Sequence, residues 1–173
     1  PDGDDRWAPT LQPAPEWQTI EPKQIVERIA AAGMVGMGGA GFPTHVKLSP
    51  PPGKTIDTLI INGAECEPYL TADHRLMLET PERIWTGIRI IRKILGVRRV
   101  VVAIEENKPD AIRAMEKIMR DADAELLILQ TQYPQGAEKQ LIYAATGREV
   151  PSGALPMDAA ALVENVATCA AIH

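Results

Sequence analysis

Gly36-Met-Gly-Gly-Ala-Gly-Phe-Pro-Thr44 sits a short distance before an apolar run that ends in Asn62-Gly-Ala-Glu-Cys-Glu-Pro68. Four glycines in the six positions 36–41 expose successive backbone N–H groups and let a phosphate or a ring approach the main chain. The second stretch closes an apolar run with an amide, two carboxylates and a turn-setting proline. A glycine-rich cradle beside a polar strand end is how nucleotide sites are commonly built, so the pair points to a flavin or nucleotide domain.

The elements on either side support an α/β class. Ile56 to Ile61, Arg99-Val-Val-Val-Ala-Ile104 and Glu125-Leu-Leu-Ile-Leu129 read as buried strands. Between them, Pro22, Pro81 and Pro109 are placed to open helices, with Ile25, Val26 and Ile29, then Ile84, Ile88, Ile91 and Leu95, then Ile112, Met115 and Met119 facing inward. Gly33 and Gly96 stand where helices stop. Pro43 starts a short helix carrying Lys47, and Pro50-Pro-Pro-Gly53 breaks it. Thr71 to Glu79 and Gly136 to Thr146 read as helical, 147–157 as a Pro/Gly loop, and Asp158 as the cap of a final helix running through Ala171. Strands alternating with helices imply a Rossmann-like α/β/α sandwich around a parallel sheet, with the Gly-rich loop ahead of the first core strand. Ligands of such sheets bind at the carboxyl ends of strands, and Asn62–Pro68 and Tyr133–Gly136 both follow strands directly.

The chain has 173 residues, enough for one domain at 21–173 behind an extended lead at 1–20 that holds four prolines. It opens Pro-Asp-Gly-Asp-Asp without Met, and is expected to be part of a longer polypeptide. A net charge of −5 argues against a general nucleic-acid binder. No apolar run approaches the roughly 20 residues of a membrane span. Two cysteines, Cys66 and Cys169, cannot supply four thiolates to an iron–sulfur cluster.

Each candidate has a plainer reading beside the functional one. The Gly loop follows a helix rather than a strand, so it is not an ordinary dinucleotide fingerprint, and glycine clusters also make tight turns between helices. Lys47, one or two turns later, is placed to reach a phosphate. Glu65 and Glu67 are either solvated acids or partners for ribose hydroxyls, and Asn62 can hydrogen-bond a ring edge or ribitol. Glu65, Cys66, Glu67 and His74 lack a metal-ligand spacing. His45 and Asp73-His74-Arg75 offer no nucleophile–base pair, and no Gly-x-Ser-x-Gly elbow is present. Arg89, Arg92, Lys93, Arg98 and Arg99 read as a solvated helix end or a contact for an acidic subunit.

With these residues read, the chain resembles the C subunit of Rnf-type electron-transport complexes, in its central flavin domain. The resemblance runs through Gly36 to Leu48, through Asp57 to Leu78, and through Tyr133-Pro-Gln-Gly-Ala-Glu-Lys-Gln-Leu141, Val150-Pro-Ser-Gly153 and Glu164-Asn-Val166. The same fold is shared, by resemblance, with the NADH-oxidising flavoprotein subunit of respiratory complex I. It implies that Gly36, Gly38, Gly39, Gly41 and Lys47 cradle FMN and that Asn62 bonds the flavin. Tyr133 and Gly136 would supply a second contact stretch, and Asn165 with Thr168 a third. Phe42, Glu65, Glu67 and Glu138 would lie on the NADH side. Two positions depart from the complex I pattern: Ala64 stands in place of an acid, and Ser49-Pro-Pro-Pro52 in place of an aromatic.

The implied activity is hydride transfer from NADH to FMN, with electrons passing to 4Fe–4S clusters elsewhere in the subunit and on to ferredoxin. The implied partners are NADH and the other subunits of the Rnf complex, and ferredoxin indirectly. The implied location is cytoplasmic, peripheral on the inner face of the membrane. Two other readings stay open here: a related flavoprotein that reduces cobalamin, and a docking module without cofactor.

Overall fold

Short runs of Ile, Leu and Val with few polar interruptions suit strands buried on both faces, because a parallel sheet must be covered twice. In a computed structural model describing residues 14, 16–120 and 122–173, four strands form one all-parallel sheet. They are β1 (Thr58–Gly63), β2 (Arg99–Glu105), β3 (Glu125–Leu129) and β4 (Ala161–Asn165), in spatial order β3-β2-β1-β4. The chain steps outward from β1 to β2 to β3 and then returns to the far side of β1. Strand order therefore reverses between β1 and β4, where Asn62 lies opposite Asn165.

The helices are α1 (Pro22–Ala31), α2 (Thr44–Lys47), α3 (Ala72–Glu79), α4 (Pro81–Leu95), α5 (Pro109–Met119), α6 (Glu138–Thr146) and α7 (Val166–Ile172). Pro22, Pro81 and Pro109 each open a helix as the sequence suggests, since a missing N–H costs nothing in the first turn. Gly96 ends α4 at φ 64°, a left-handed cap that other residues adopt with strain. The two sheet faces carry separate cores. Leu59, Ile61, Val100, Val102 and Ile104 pack with α1, α3, α4, α5 and α7. Ile60, Val101, Ala103 and Val163 pack with Leu141, Ile142 and Ala145 of α6. Each fully buried Ile or Leu contributes about 1.5–3 kcal/mol, so these two layers dominate the stability.

The final helix departs from the sequence reading. Asp158 does not cap a helix through Ala171; it closes a 3-10 turn at Pro156–Ala159, its carboxylate accepting the Leu155 N–H at 2.9 Å. Ala160 then takes φ 52°, and Ala161-Leu-Val-Glu-Asn165 becomes a strand. Alanine favours helix locally, but pairing along β1 and burial of Leu162 and Val163 outweigh that propensity. The cap of the true last helix is Asn165, whose side chain accepts the Ala167 N–H at 2.8 Å.

Most of the expected extended lead lies outside the described residues. Its last part, Trp17–Thr19, is a 3-10 turn rather than extended chain. It lies against α4, where Lys93 Nζ donates to the Trp17 carbonyl at 3.4 Å and Arg89 stacks 5.4 Å from the Trp17 ring centre. Among the described residues no helix is long and apolar enough to cross a membrane.

α4 and α7 approach closely enough that a side chain at Gly87 has no room: its Cβ would lie 1.8 Å from the Cys169 carbonyl oxygen. Gly87→Ala is therefore expected to lower the unfolding free energy by about 3 kcal/mol, against at most about 0.5 kcal/mol for the neighbouring Thr86→Ala. Urea unfolding of both variants checks this, and an unchanged midpoint for Gly87→Ala would refute the close packing.

Candidate functional site

Residues 36–42 form a loop closed at its base. Val35 bridges Pro43 in antiparallel fashion, the Gly36 N–H donates to the Phe42 carbonyl at 2.8 Å, and the Thr44 N–H donates to the Met34 carbonyl at 3.0 Å. Gly39 and Gly41 sit at φ 110° and 60°, conformations that favour glycine, and added Cβ atoms there would meet open space. Residues 38–41 are exposed, and their N–H groups make no hydrogen bond of normal geometry to a described residue, which leaves them accessible to a ligand. The loop is pinned over the end of β4: the Met37 N–H donates to Thr168 Oγ1 at 2.9 Å, and a Cβ on Gly38 would come within 3.3 Å of Asn165 Cβ. Asn165 and Thr168 thus stand directly beneath the glycine loop.

Across the reversal, the segment after β1 is fixed at every step. Asn62 Oδ1 accepts the Ala64 N–H at 3.1 Å while Asn62 Nδ2 donates to the Gly136 carbonyl at 3.0 Å. The Gly136 N–H points at Cys66 Sγ, 3.4 Å away, and Gly136 has little room for a Cβ beside Cys66, Ala64 and Asn62. Glu65 takes φ 46°, and its carboxylate accepts the Asp73 and His74 N–H groups at 2.7 and 3.1 Å, capping α3. Lys108 reaches in from the foot of α5 and donates to the Ala64 carbonyl at 2.6 Å, with Glu105 at 3.4 Å. The strand end is a preorganised platform rather than a loose turn.

Charge at the site is unevenly paired. Lys47 Nζ lies 3.4 Å from Glu138 and 3.9 Å from Glu164. Glu164 is 2% exposed and its Oε1 has no hydrogen-bond partner. Burial pushes its carboxyl up to about 7, against the pull of Lys47. Burial also raises Asp73, although Asn165 Nδ2 donates to it at 2.6 Å. The thiol of Cys169 is raised well above its ordinary value by complete burial, and makes no nucleophile.

The sequence-derived residues fall into two groups. Gly36, Gly38, Gly39, Gly41, Lys47, Asn62, Gly136, Glu138, Asn165 and Thr168 are brought together around the carboxyl ends of β1 and β4 by the contacts above. Phe42 stands at the loop's far end with half its surface exposed. Glu65, Glu67 and Tyr133 line a neighbouring cleft of about 380 Å³ beside Cys66 and Lys108. Glu65 is already engaged there as the cap of α3, whereas Tyr133 stands outward at 72% exposure. His74 turns away to Asp110, 2.7 Å distant. Among the described residues no group of His, Cys, Asp or Glu is arranged to hold a metal. The basic residues of α4 and β2 are largely spent internally, Arg92 on Asp123 and Arg99 on Glu125.

Sequence reasoning missed Lys108, Asp73 and Glu164 as parts of the site. Glu164 carries a signal: an acid following Ala161-Leu-Val on what proves to be a buried edge strand. Reading the segment as helix hides that signal.

Residues 29–173 match the family described as the Nuo51 FMN-binding domain. The chain belongs to that family. Within it, the chain is 53% identical to the C subunit of the proton-translocating ferredoxin:NAD(+) oxidoreductase complex of Clostridium ljungdahlii, over 99% of this chain and 37% of that one. It is 51% identical to the C subunit of the Na(+)-translocating complex of Acetobacterium woodii, over 99% of this chain and 39% of that one. The Nuo51 fold is also seen in an NAD+-reducing NiFe hydrogenase, with a TM-score of 0.73 at 26% identity over 96% of this chain and 34% of that one. The chain spans between a third and two fifths of the length of these relatives.

The buried acid Glu164 is expected to make the stability of this Nuo51 domain depend on pH. The unfolded chain ionises Glu164 near its ordinary 4.5, whereas the folded chain holds the proton to about 7. Its contribution is therefore complete below pH 4.5, declines as pH rises through 7 by on the order of 3 kcal/mol, and is constant above. Urea unfolding across this range is expected to show that extra decline in the native chain relative to Glu164→Gln; parallel curves would show that Glu164 is solvated.

Proposed function

We propose that this chain is the FMN-binding, NADH-oxidising domain of an Rnf-type ion-translocating oxidoreductase. The observation that carries the proposal is the exposed glycine loop Gly38–Gly41, held over Asn165 and Thr168 where the strand order reverses.

The residues present fit FMN. A phosphate needs convergent donors and positive charge, and the exposed amides of the loop together with Lys47, on the helix that follows it, are groups of those kinds. The absence of Cβ atoms at Gly39 and Gly41 leaves the loop face open to a group of that size. Asn62, its amide held by the Ala64 N–H and the Gly136 carbonyl, stands at the carboxyl end of β1, and Asn165 and Thr168 close the floor. FMN, when bound, accepts a hydride from NADH and passes electrons on singly.

The protein's share of that chemistry is orientation and electrostatics. Gly38–Gly41 and Lys47 hold phosphate and ribitol, while Asn62, Gly136, Asn165 and Thr168 fix the ring's position. Phe42 and Glu138, exposed or partly exposed on the loop side, and Glu67, from the neighbouring cleft, receive the dinucleotide, Phe42 through its ring and the acids through ribose hydroxyls. Tyr133 and Glu65 border that space from the adjoining cleft. Ala64 is fully buried and supplies no carboxylate, so one polar contact of the complex I pattern is absent here. In the proposed complex, electrons would leave toward 4Fe–4S clusters elsewhere in the subunit and then to ferredoxin, with the other complex subunits coupling this to ion transport. On this reading the domain works at the cytoplasmic face of the membrane, held there by its partners.

FMN titration of the chain, followed by anaerobic NADH addition, tests the reading. FMN is expected to bind and its absorbance to bleach, and Lys47→Ala is expected to weaken FMN binding by about tenfold or more, the loss of a charged hydrogen bond. Unchanged affinity in Lys47→Ala removes Lys47 from the site. Binding without bleaching moves NADH recognition elsewhere in the subunit.

A further inference from the structure

The Lys47–Glu164–Glu138 cluster contains one cation for two carboxylates, and the less solvated carboxylate is the one with a bare oxygen. Glu138 is 42% exposed and keeps water, whereas Glu164 is 2% exposed, with Oε1 3.9 Å from Lys47 Nζ. That separation is beyond hydrogen-bond reach, so Lys47 screens the charge without solvating it. The Glu164 carboxyl meets the proposed phosphate site through Lys47, whose Nζ lies 3.9 Å away and is the cation assigned to the phosphate. The groups facing it from the packed elements are Lys47 on α2, Glu138 on α6, Cys169 on α7 and, beside Asn165, Asp73 on α3. Lys47 supplies the positive charge of this set.

A phosphomonoester arriving at the loop brings close to two further negative charges. Lys47 cannot satisfy it while also balancing Glu138 and Glu164 in a region of low dielectric. The least costly relief is a proton on the more deeply buried of the two carboxylates. We propose that Glu164 takes up a proton from solvent when the FMN phosphate binds, freeing Lys47 for the phosphate and tying flavin retention to pH. This rests on the FMN reading above. Glu164 acts through Lys47 and is a positioning residue. Its protonated carboxyl is neutral, and the uptake of one proton per phosphate balances the exchange. Burial has already moved the group close to neutrality, so the uptake falls within the physiological range.

The test is FMN binding to the chain between pH 6 and 8.5, read by flavin fluorescence, with calorimetry at pH 8 in buffers of different ionisation enthalpy. Riboflavin, which has the ring and ribitol but no phosphate, is the comparison ligand. The native chain is expected to take up close to one proton per FMN at pH 8, and its FMN affinity to fall up to tenfold per pH unit above 7 relative to Glu164→Gln. Glu164→Gln is expected to take up none, and riboflavin binding to show no dependence on residue 164. Absence of proton uptake in the native chain overturns the proposal whether or not the variant folds. So does an identical pH profile in a folded Glu164→Gln, or the same uptake with riboflavin. Failure of FMN to bind either protein at any pH instead strikes the FMN reading itself, and the proposal with it.

Discussion

Pairing of β4 against β1 is the constraint on which the other features of the site depend. Without it the sheet would end at β1, and Asn165 and Thr168 would have no fixed place. With it, the carboxyl ends of two neighbouring strands are brought side by side, Asn62 opposite Asn165. The Gly loop folds down onto that junction because Thr168 offers its hydroxyl to Met37 and because Gly38 lacks the Cβ that would lift the loop away. A binding floor is thus produced by sheet topology, and the cradle by the missing side chains above it.

Rigidity at this junction is distributed rather than local. The turn after β1 carries a positive φ at Glu65, which persists because the Glu65 carboxylate caps α3 and Lys108 holds the Ala64 carbonyl from below. Asn62 spends both ends of its amide on backbone groups, linking the β1 turn to the Gly136 turn. Such a frame holds its polar groups in place before any ligand arrives, which lowers the ordering cost of binding. The exception is the Lys47 cluster, whose buried acid lacks a full set of partners. An incompletely satisfied charge in an otherwise satisfied site is where a ligand's own charge has most influence.

Much of this is legible in the sequence, for physical reasons that can be named. Prolines at helix starts and glycines at helix ends mark boundaries by their fixed or permissive φ, so α1, α4 and α5 begin where the sequence places them. β1, β2 and β3 announce themselves by β-branched runs. β4 does not: Ala159-Ala-Ala161 has the local preference of a helix, and only the open edge of β1 makes it a strand. The glycine loop, Asn62, Gly136, Asn165 and Thr168 are legible through family resemblance, since nothing in their spacing says that they converge. Lys108 is not legible, and Glu164 only once its segment is read as a strand, because their roles depend on contacts between distant segments: Lys108 with Ala64, Glu164 with Lys47.

If the amides of residues 38–41 and the floor at 165–168 form one flavin phosphate site, a bound flavin must protect both together. Amide hydrogen exchange of the chain with and without saturating FMN reads those donors individually. Exchange is expected to slow at Gly38–Gly41 together with residues 165–168, with little change around α4 and α5. Protection confined to another surface, with the 38–41 amides unchanged in a flavin-bound chain, would contradict a phosphate site at this junction.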